Sequence, residues 1–241
     1  VAVDINQVRK VVKEHYDRAR SNVFIIKKAI LEHAEAISDV VPGYQAKQLE
    51  FGSYLKDNFT VLFIDMRNST IRAKTIGPEK TFLSLHAFIP AMIYIIEYYQ
   101  GHVIDIMGDG IMAFFGGKSS NMAHSIAMQK AGLCAVDMLK AIDEVVNPII
   151  LEDKIEWKIS CGVGIDHGDV IVTKVGTDGV HDVKAFGDCI NTASKLSSGR
   201  GTVVVTKKIK DEWPESKGGK IVFRPVSVKG IDGYSLGKNS S

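Results

Sequence analysis

Cysteine is scarce. Three residues in 241, Cys134, Cys161 and Cys189, are too few and too widely spaced for a disulfide framework or a thiolate metal centre. An odd, sparse set suits a reducing cytosol, each thiol acting as a small core residue, so a cytoplasmic location is expected. Excess charge of one sign is lacking too. The formal net charge is +2, without the strongly basic patch that marks a nucleic-acid partner. Long apolar runs are missing: residues 87–96 come nearest to a membrane span, and Pro90 interrupts them. No signal peptide is expected at the start, where Val1 is soon followed by charged residues. Repeats and low-complexity tracts are absent. No His/Ser or Cys/His arrangement supports hydrolysis, and His167, inside Asp166-His167-Gly168-Asp169, is expected in an exposed turn.

What remains is an ordinary globular composition, 45% hydrophobic and 24% charged. The length allows one domain with a sizeable core plus an extension. Residues 1–41 read as helix, with Val8, Val11, Val12 and Tyr16 at helical spacing, stopped by Pro42-Gly43. Such a helix pairs with a partner or packs back on its domain. Residues 44–58 read as linker. A first strand is expected over 59–65, followed by a polar turn in which Ser69 or Thr70 caps a helix. A long helix is expected over 79–99, then a hairpin, then a helix over 119–146. Strands are expected over 155–165 and 170–175, with 166–169 as their turn and 176–182 as an extended arm. Asp188 is expected to cap a helix running to residue 197. Short elements close the chain: a strand at 202–205, a helix at 207–213, and strands at 221–229 and 234–236. The pattern is α+β, a ferredoxin-like βαββαβ core with additions. It divides into an N-terminal helical extension and linker, 1–58, and a catalytic domain, 59–241.

Two aspartates organise this pattern. Asp65 ends the apolar run Val61-Leu62-Phe63-Ile64, which reads as a buried strand. Asp109 sits in Gly108-Asp109-Gly110 between two apolar runs, the signature of a hairpin turn. Asp at a strand end and Asp-Gly at a turn are also ordinary turn chemistry. If the strands are neighbours, however, two carboxylates meet at one sheet edge, a hard-oxygen site suited to Mg²⁺ or Mn²⁺. The turn after Asp65 directs main-chain N–H groups toward an anion.

The linked motifs carry more than any one of them. Phe63-Ile64-Asp65 followed by Ser69-Thr70, then Ile106-Met107-Gly108-Asp109-Gly110-Ile111, then Gly162-Val163-Gly164-Ile165, then Phe186-Gly187-Asp188 with Asn191-Thr192-Ala193-Ser194-Lys195, resemble the class III nucleotidyl cyclase catalytic domain from about residue 59 to 236. The resemblance implies a homodimer with composite active sites at its interface. It implies two divalent ions held by Asp65, Asp109 and the Met66 carbonyl. It assigns Asn191 to the ribose and Lys195, where the family usually has arginine, to the transition state. Lys229, in Val228-Lys229-Gly230, matches a lysine that holds the triphosphate, beside Asn68, Ser69 and Thr70. Asn191 and Lys195 are four apart on one helix and share a face.

Asp105 and Lys184 match the base-reading positions. Adenylate cyclases usually carry Lys and then Asp or Thr there; guanylate cyclases carry Glu and Cys. Asp accepts and Lys donates, a pattern that uracil and cytosine satisfy, adenine with roles exchanged, and even guanine. The two side chains could equally form a salt bridge with no base contact. Arg67 and Asn68 replace the family's usual small or apolar residues. The helical extension without a sensor domain resembles the stand-alone pyrimidine cyclases of bacterial anti-phage (Pycsar) systems. That implies cyclic UMP ahead of cyclic CMP, a separate effector activated by the product, and no membrane or nucleic-acid partner. Tyr54 is then a candidate wall of a small base pocket, unless it packs under the N-terminal helix. The alternatives are an adenylate cyclase with an unusual pocket and an inactive nucleotide-binding regulator.

Overall fold

A computed structural model describes residues 2–22, 40–41, 44–45, 49–214 and 221–238. The first long strand, β1 (Tyr54–Met66), alternates faces with almost every residue from Asp57 to Ile64 buried, so both sides of it are covered. It lies between β3 (Gly110–Gly116) and β4 (Cys161–Thr177), antiparallel to each, and β3 pairs in turn with β2 (His102–Met107). The spatial order β2-β3-β1-β4 is the ferredoxin-like arrangement.

β4 is the spine of the additions. Its first part runs parallel to β6 (Val203–Val205); its second part pairs with β5 (Val180–Phe186). Beyond β6 lie β8 (Ile231–Lys238) and β7 (Ile221–Val228), making eight strands in one sheet.

One face of the sheet carries α1 (Ile5–Asn22), α3 (Pro78–Tyr98) and α4 (His124–Ala141). Their apolar stripes fuse with Leu62, Ile64, Ile111 and Val163 into the main core. α4 continues through a π-helical turn, Ile142–Val146, into α5 (Asn147–Glu152). The opposite face carries α6 (Asp188–Leu196) over a second core that includes Phe59, Val61, Phe63 and Val170. A short α2 (Ser69–Ile76) follows β1, and α7 (Lys207–Asp211) follows β6.

Several expectations need correction. The N-terminal helix covers Ile5–Asn22; residues 23–39 lie outside the described residues, and Val40–Val41 pairs as strand with Tyr44–Gln45. The helix packs back on the domain: Val8, Val12 and Tyr16 are in the main core, and the Tyr16 hydroxyl donates to Asp153 at 2.8 Å. The presumed linker supplies the first five residues of β1. Pro90 does not break α3. By length and composition alone this 21-residue helix could cross a membrane, but its Ala87, Phe88, Ala91 and Ile95 are buried inside the domain.

The largest revision concerns residues 166–169. They are not a turn. One 17-residue strand runs straight through them, paired with Asn58–Val61 of β1. Their polar side chains are met laterally: Asp166 Oδ1 accepts from the His167 amide and Thr206 Oγ1, and Asp169 from Lys56 and Asn58. The true turn falls at Asp178-Gly179, where an arm was expected. His167 is buried, not exposed.

Candidate active site

β1 delivers Asp65 one residue before its end. The register places it opposite Gly110, the residue after Asp109. A Cβ on Gly110 would stand 3.5 Å from Asp65 Oδ1, so the first carboxylate lies directly against the hairpin that bears the second. Gly108 adopts φ +65°, which closes that hairpin in two residues. Cys161 lies buried close by, opposite Met66. Burial pushes its thiol well above the ordinary range; the Arg67 charge opposes this and the Asp109 charge adds to it.

The two carboxylates and neighbouring main-chain carbonyls, Met66 among them, are all hard oxygen donors. Among the described residues, no cluster of three or more His, Cys, Asp or Glu offers an all-protein cage. Such a sparse set fits Mg²⁺ or Mn²⁺, which are commonly held by one or two carboxylates and completed by substrate phosphates.

α2 begins beside these acids. Its cap is Asn68, left-handed at φ +57° and exposed, with no side-chain cap from Ser69 or Thr70, which are the first helical residues. The helix is pinned by Arg72. That side chain is buried, donating to the Trp157 carbonyl at 3.1 Å and to Ser84 Oγ at 2.7 Å, and burial lowers its pKa. Arg67, just before, donates to Asp65 and through Nη1 to the Ser198 carbonyl at 3.2 Å.

α6 sits on two glycines. A Cβ on Gly164 would overlap the Ala193 carbonyl and the Ser197 amide; one on Gly162 would overlap the Ser197 and Gly199 carbonyls. Gly-x-Gly in a strand signals this close approach. α6 starts after Gly187, with Asp188 as its first residue rather than a side-chain cap. Cys189, Ala193 and Leu196 face the sheet; Asn191 and Lys195 are exposed on the outer side. Among the described residues no hydrogen bond or ion pair joins either of them to Asp65 or Asp109.

Asp105 lies half-buried on β2 beside a register shift. Lys184, on β5, pairs with Asp182 at 2.5 Å, which raises its pKa; the Asp105 charge adds a smaller effect in the same direction. The salt-bridge partner of Lys184 is therefore Asp182. Tyr54 opens β1, eleven positions before Asp65, and is 64% exposed, so it is not packed beneath α1. It shares a register row with Lys184, since Thr173 pairs with Tyr54 on one side and Lys184 on the other. Their side chains stand on one face, roughly 10 Å apart at ~4.8 Å per strand. Lys229 occupies the exposed two-residue turn between β7 and β8 at φ +49°. Sequence reasoning passed over the inter-element roles of Arg67, Arg72, Gly162 and Gly164.

The description "Adenylate and Guanylate cyclase catalytic domain" matches residues 52–233. The chain is 32% identical over 168 residues to a uridylate cyclase of Gulbenkiania mobilis, covering 66% of this chain and 62% of that one. It is 31% identical over 156 residues to a cytidylate cyclase of Escherichia coli, covering 62% and 34%. An adenylate cyclase of Anabaena cylindrica is 24% identical over 239 residues, covering 95% and 43%. The chain thus spans less than two thirds of each relative's length. The solved adenylyl cyclase CyaB from P. aeruginosa shares the fold, with a TM-score of 0.68 at 23% identity over 78% of this chain and 97% of that chain. With the matched stretch covering most of the sequence and running from β1 to β8, the chain belongs to the adenylate and guanylate (class III) cyclase catalytic domain family.

Proposed function

We propose that this chain converts a nucleoside triphosphate to a 3′,5′-cyclic nucleotide and pyrophosphate, with a pyrimidine substrate, UTP ahead of CTP. The observation that carries the reading is the register of Asp65 against Gly110, beside Asp109 at one end of the sheet. Bound Mg²⁺ or Mn²⁺ would acidify the ribose 3′-hydroxyl and neutralise the leaving pyrophosphate. Asp65, Asp109 and the Met66 carbonyl would hold the two ions. The start of α2, with Asn68, Ser69 and Thr70, offers main-chain N–H groups to the triphosphate. Asn191 orients the ribose. Lys195 presents a cation to the charge that develops on the α-phosphate, as a point charge rather than arginine's fork. Lys229 adds a second cation to the phosphates. Asn191 and Lys195 face outward on α6, so in a homodimer with composite sites they would reach the nucleotide held at the acids of a partner copy.

Base choice rests on Asp105 as acceptor and Lys184 as donor, with Tyr54 on the same face as Lys184 narrowing the pocket. The names of the uridylate and cytidylate cyclase relatives support the pyrimidine reading. A second reading, ATP, is favoured by the adenylate cyclase relative that aligns over 95% of the chain. By analogy with the Pycsar systems, the product would act in the cytoplasm as a second messenger in anti-phage defence, switching on a separate effector.

The test is incubation with each of the four NTPs and Mn²⁺, with product mass measured. Cyclic UMP as the main product is expected. Cyclic AMP would favour the second reading. Absence of any cyclic product would leave a nucleotide-binding regulator and overturn the proposal.

A further inference from the structure

Arg67 is the one cation bonded directly to a proposed metal-holding carboxylate among the described residues. Its Nη2 donates to Asp65 Oδ2, and its Nε reaches the Asp65 carbonyl at 3.4 Å. The other arm of the fork, Nη1, donates to the Ser198 carbonyl just past α6 at 3.2 Å. Its own amide donates to Ser160 at 2.7 Å, continuing the β1–β4 ladder and fixing the root of the side chain. The Arg67 side chain is 18% exposed and the Asp65 side chain 42%. An ion pair with its carboxylate this open to solvent adds little to folding. Its weight falls on the carboxylate's other business.

Resting on the metal reading above, we infer that Arg67 is a built-in competitor for the divalent ion at Asp65. A guanidinium and a divalent ion cannot share one carboxylate oxygen without strong repulsion. When an ion takes Asp65, Arg67 gives up that bond and keeps its hold on Ser198, so the displaced cation remains beside the site. Five donors on a planar fork make this exchange possible without leaving the group unpaired. Metal affinity without nucleotide is thereby held low. Triphosphate oxygens, arriving with the substrate, give the released guanidinium a new acceptor and favour metal capture only when substrate is present.

The probe is Mn²⁺ alone, titrated without nucleotide into the full chain and followed by the electron-paramagnetic-resonance signal of free Mn²⁺. Four proteins are compared: wild type, Arg67→Gln, Arg67→Lys and Asp65→Asn, each checked for an unchanged thermal transition. Removing a unit positive charge some 5 Å from a divalent ion is expected to tighten binding about tenfold in Arg67→Gln. Arg67→Lys keeps the charge and is expected to stay near wild type. Asp65→Asn is expected to lose binding. If Arg67→Gln binds no more tightly than wild type while Asp65→Asn loses binding, the competition is wrong and the metal reading stands. If Asp65→Asn binds like wild type, the metal reading itself fails.

Discussion

At the scale of residues, the site is defined by which polar groups are exposed and which are sealed. Asp65→Asn or Asp109→Asn keeps shape but removes a charge from the pair proposed to hold the ions. Each is expected to abolish turnover with little change in melting temperature; retained activity would contradict the metal assignment. His167 is sealed instead. Its Nδ1 lies 2.9 Å from Thr60 Oγ1 inside the main core, its ring 4.9 Å from that of His124. Burial first, then the Lys208 and His124 charges, hold its pKa down to about 4 from an ordinary 6.5. Between those values the unfolded chain binds a proton that the folded chain refuses, so stability falls as pH drops from 6.5 toward 4 and levels off below. The loss from this group between pH 7 and pH 5 is about 2 kcal/mol. Asp166, raised chiefly by burial, acts in the opposite sense at the acid end. The measurement is therefore urea unfolding of wild type against His167→Gln at both pH values. The variant should be the less pH-sensitive of the two; equal sensitivity would contradict the assignment.

At the scale of elements, α6 depends on Gly164. Gly164→Ala would press a methyl group into the α6 backbone, and lifting the helix should cost about 1–3 kcal/mol. Because α6 carries Asn191 and Lys195, the rate should drop sharply while Mn²⁺ binding at Asp65 survives. A variant with full turnover would show that α6 position does not matter.

The acid-bearing elements were legible because apolar runs and Gly-Asp-Gly encode strand and hairpin locally. β4 was not. Asp166-His167-Gly168-Asp169 has turn composition, and only lateral partners from β1 and Thr206, invisible in one strand's sequence, keep it extended. The cap of α2 failed similarly: Asn68 tolerates a left-handed backbone, so Ser69 and Thr70 were free to begin the helix. The ties of Arg67 to Asp65 and Ser198 were illegible because they depend on β1 meeting the end of α6.

At the scale of the whole molecule, Asp65 and Asp109 lie at one end of the sheet while Asn191 and Lys195 face outward on α6, and the proposed function has a second copy bring the two sets onto one triphosphate. Mixing two inactive variants tests this most directly. Asp65→Asn lacks one of the two proposed ion-holding acids, and Lys195→Ala lacks the cation proposed for the α-phosphate. Each alone should be nearly inactive. Mixed in equal amounts and allowed to exchange subunits, they should recover about one quarter of wild-type turnover, since half the dimers are mixed and each holds one intact site. A mixture as inactive as its components would contradict the composite site.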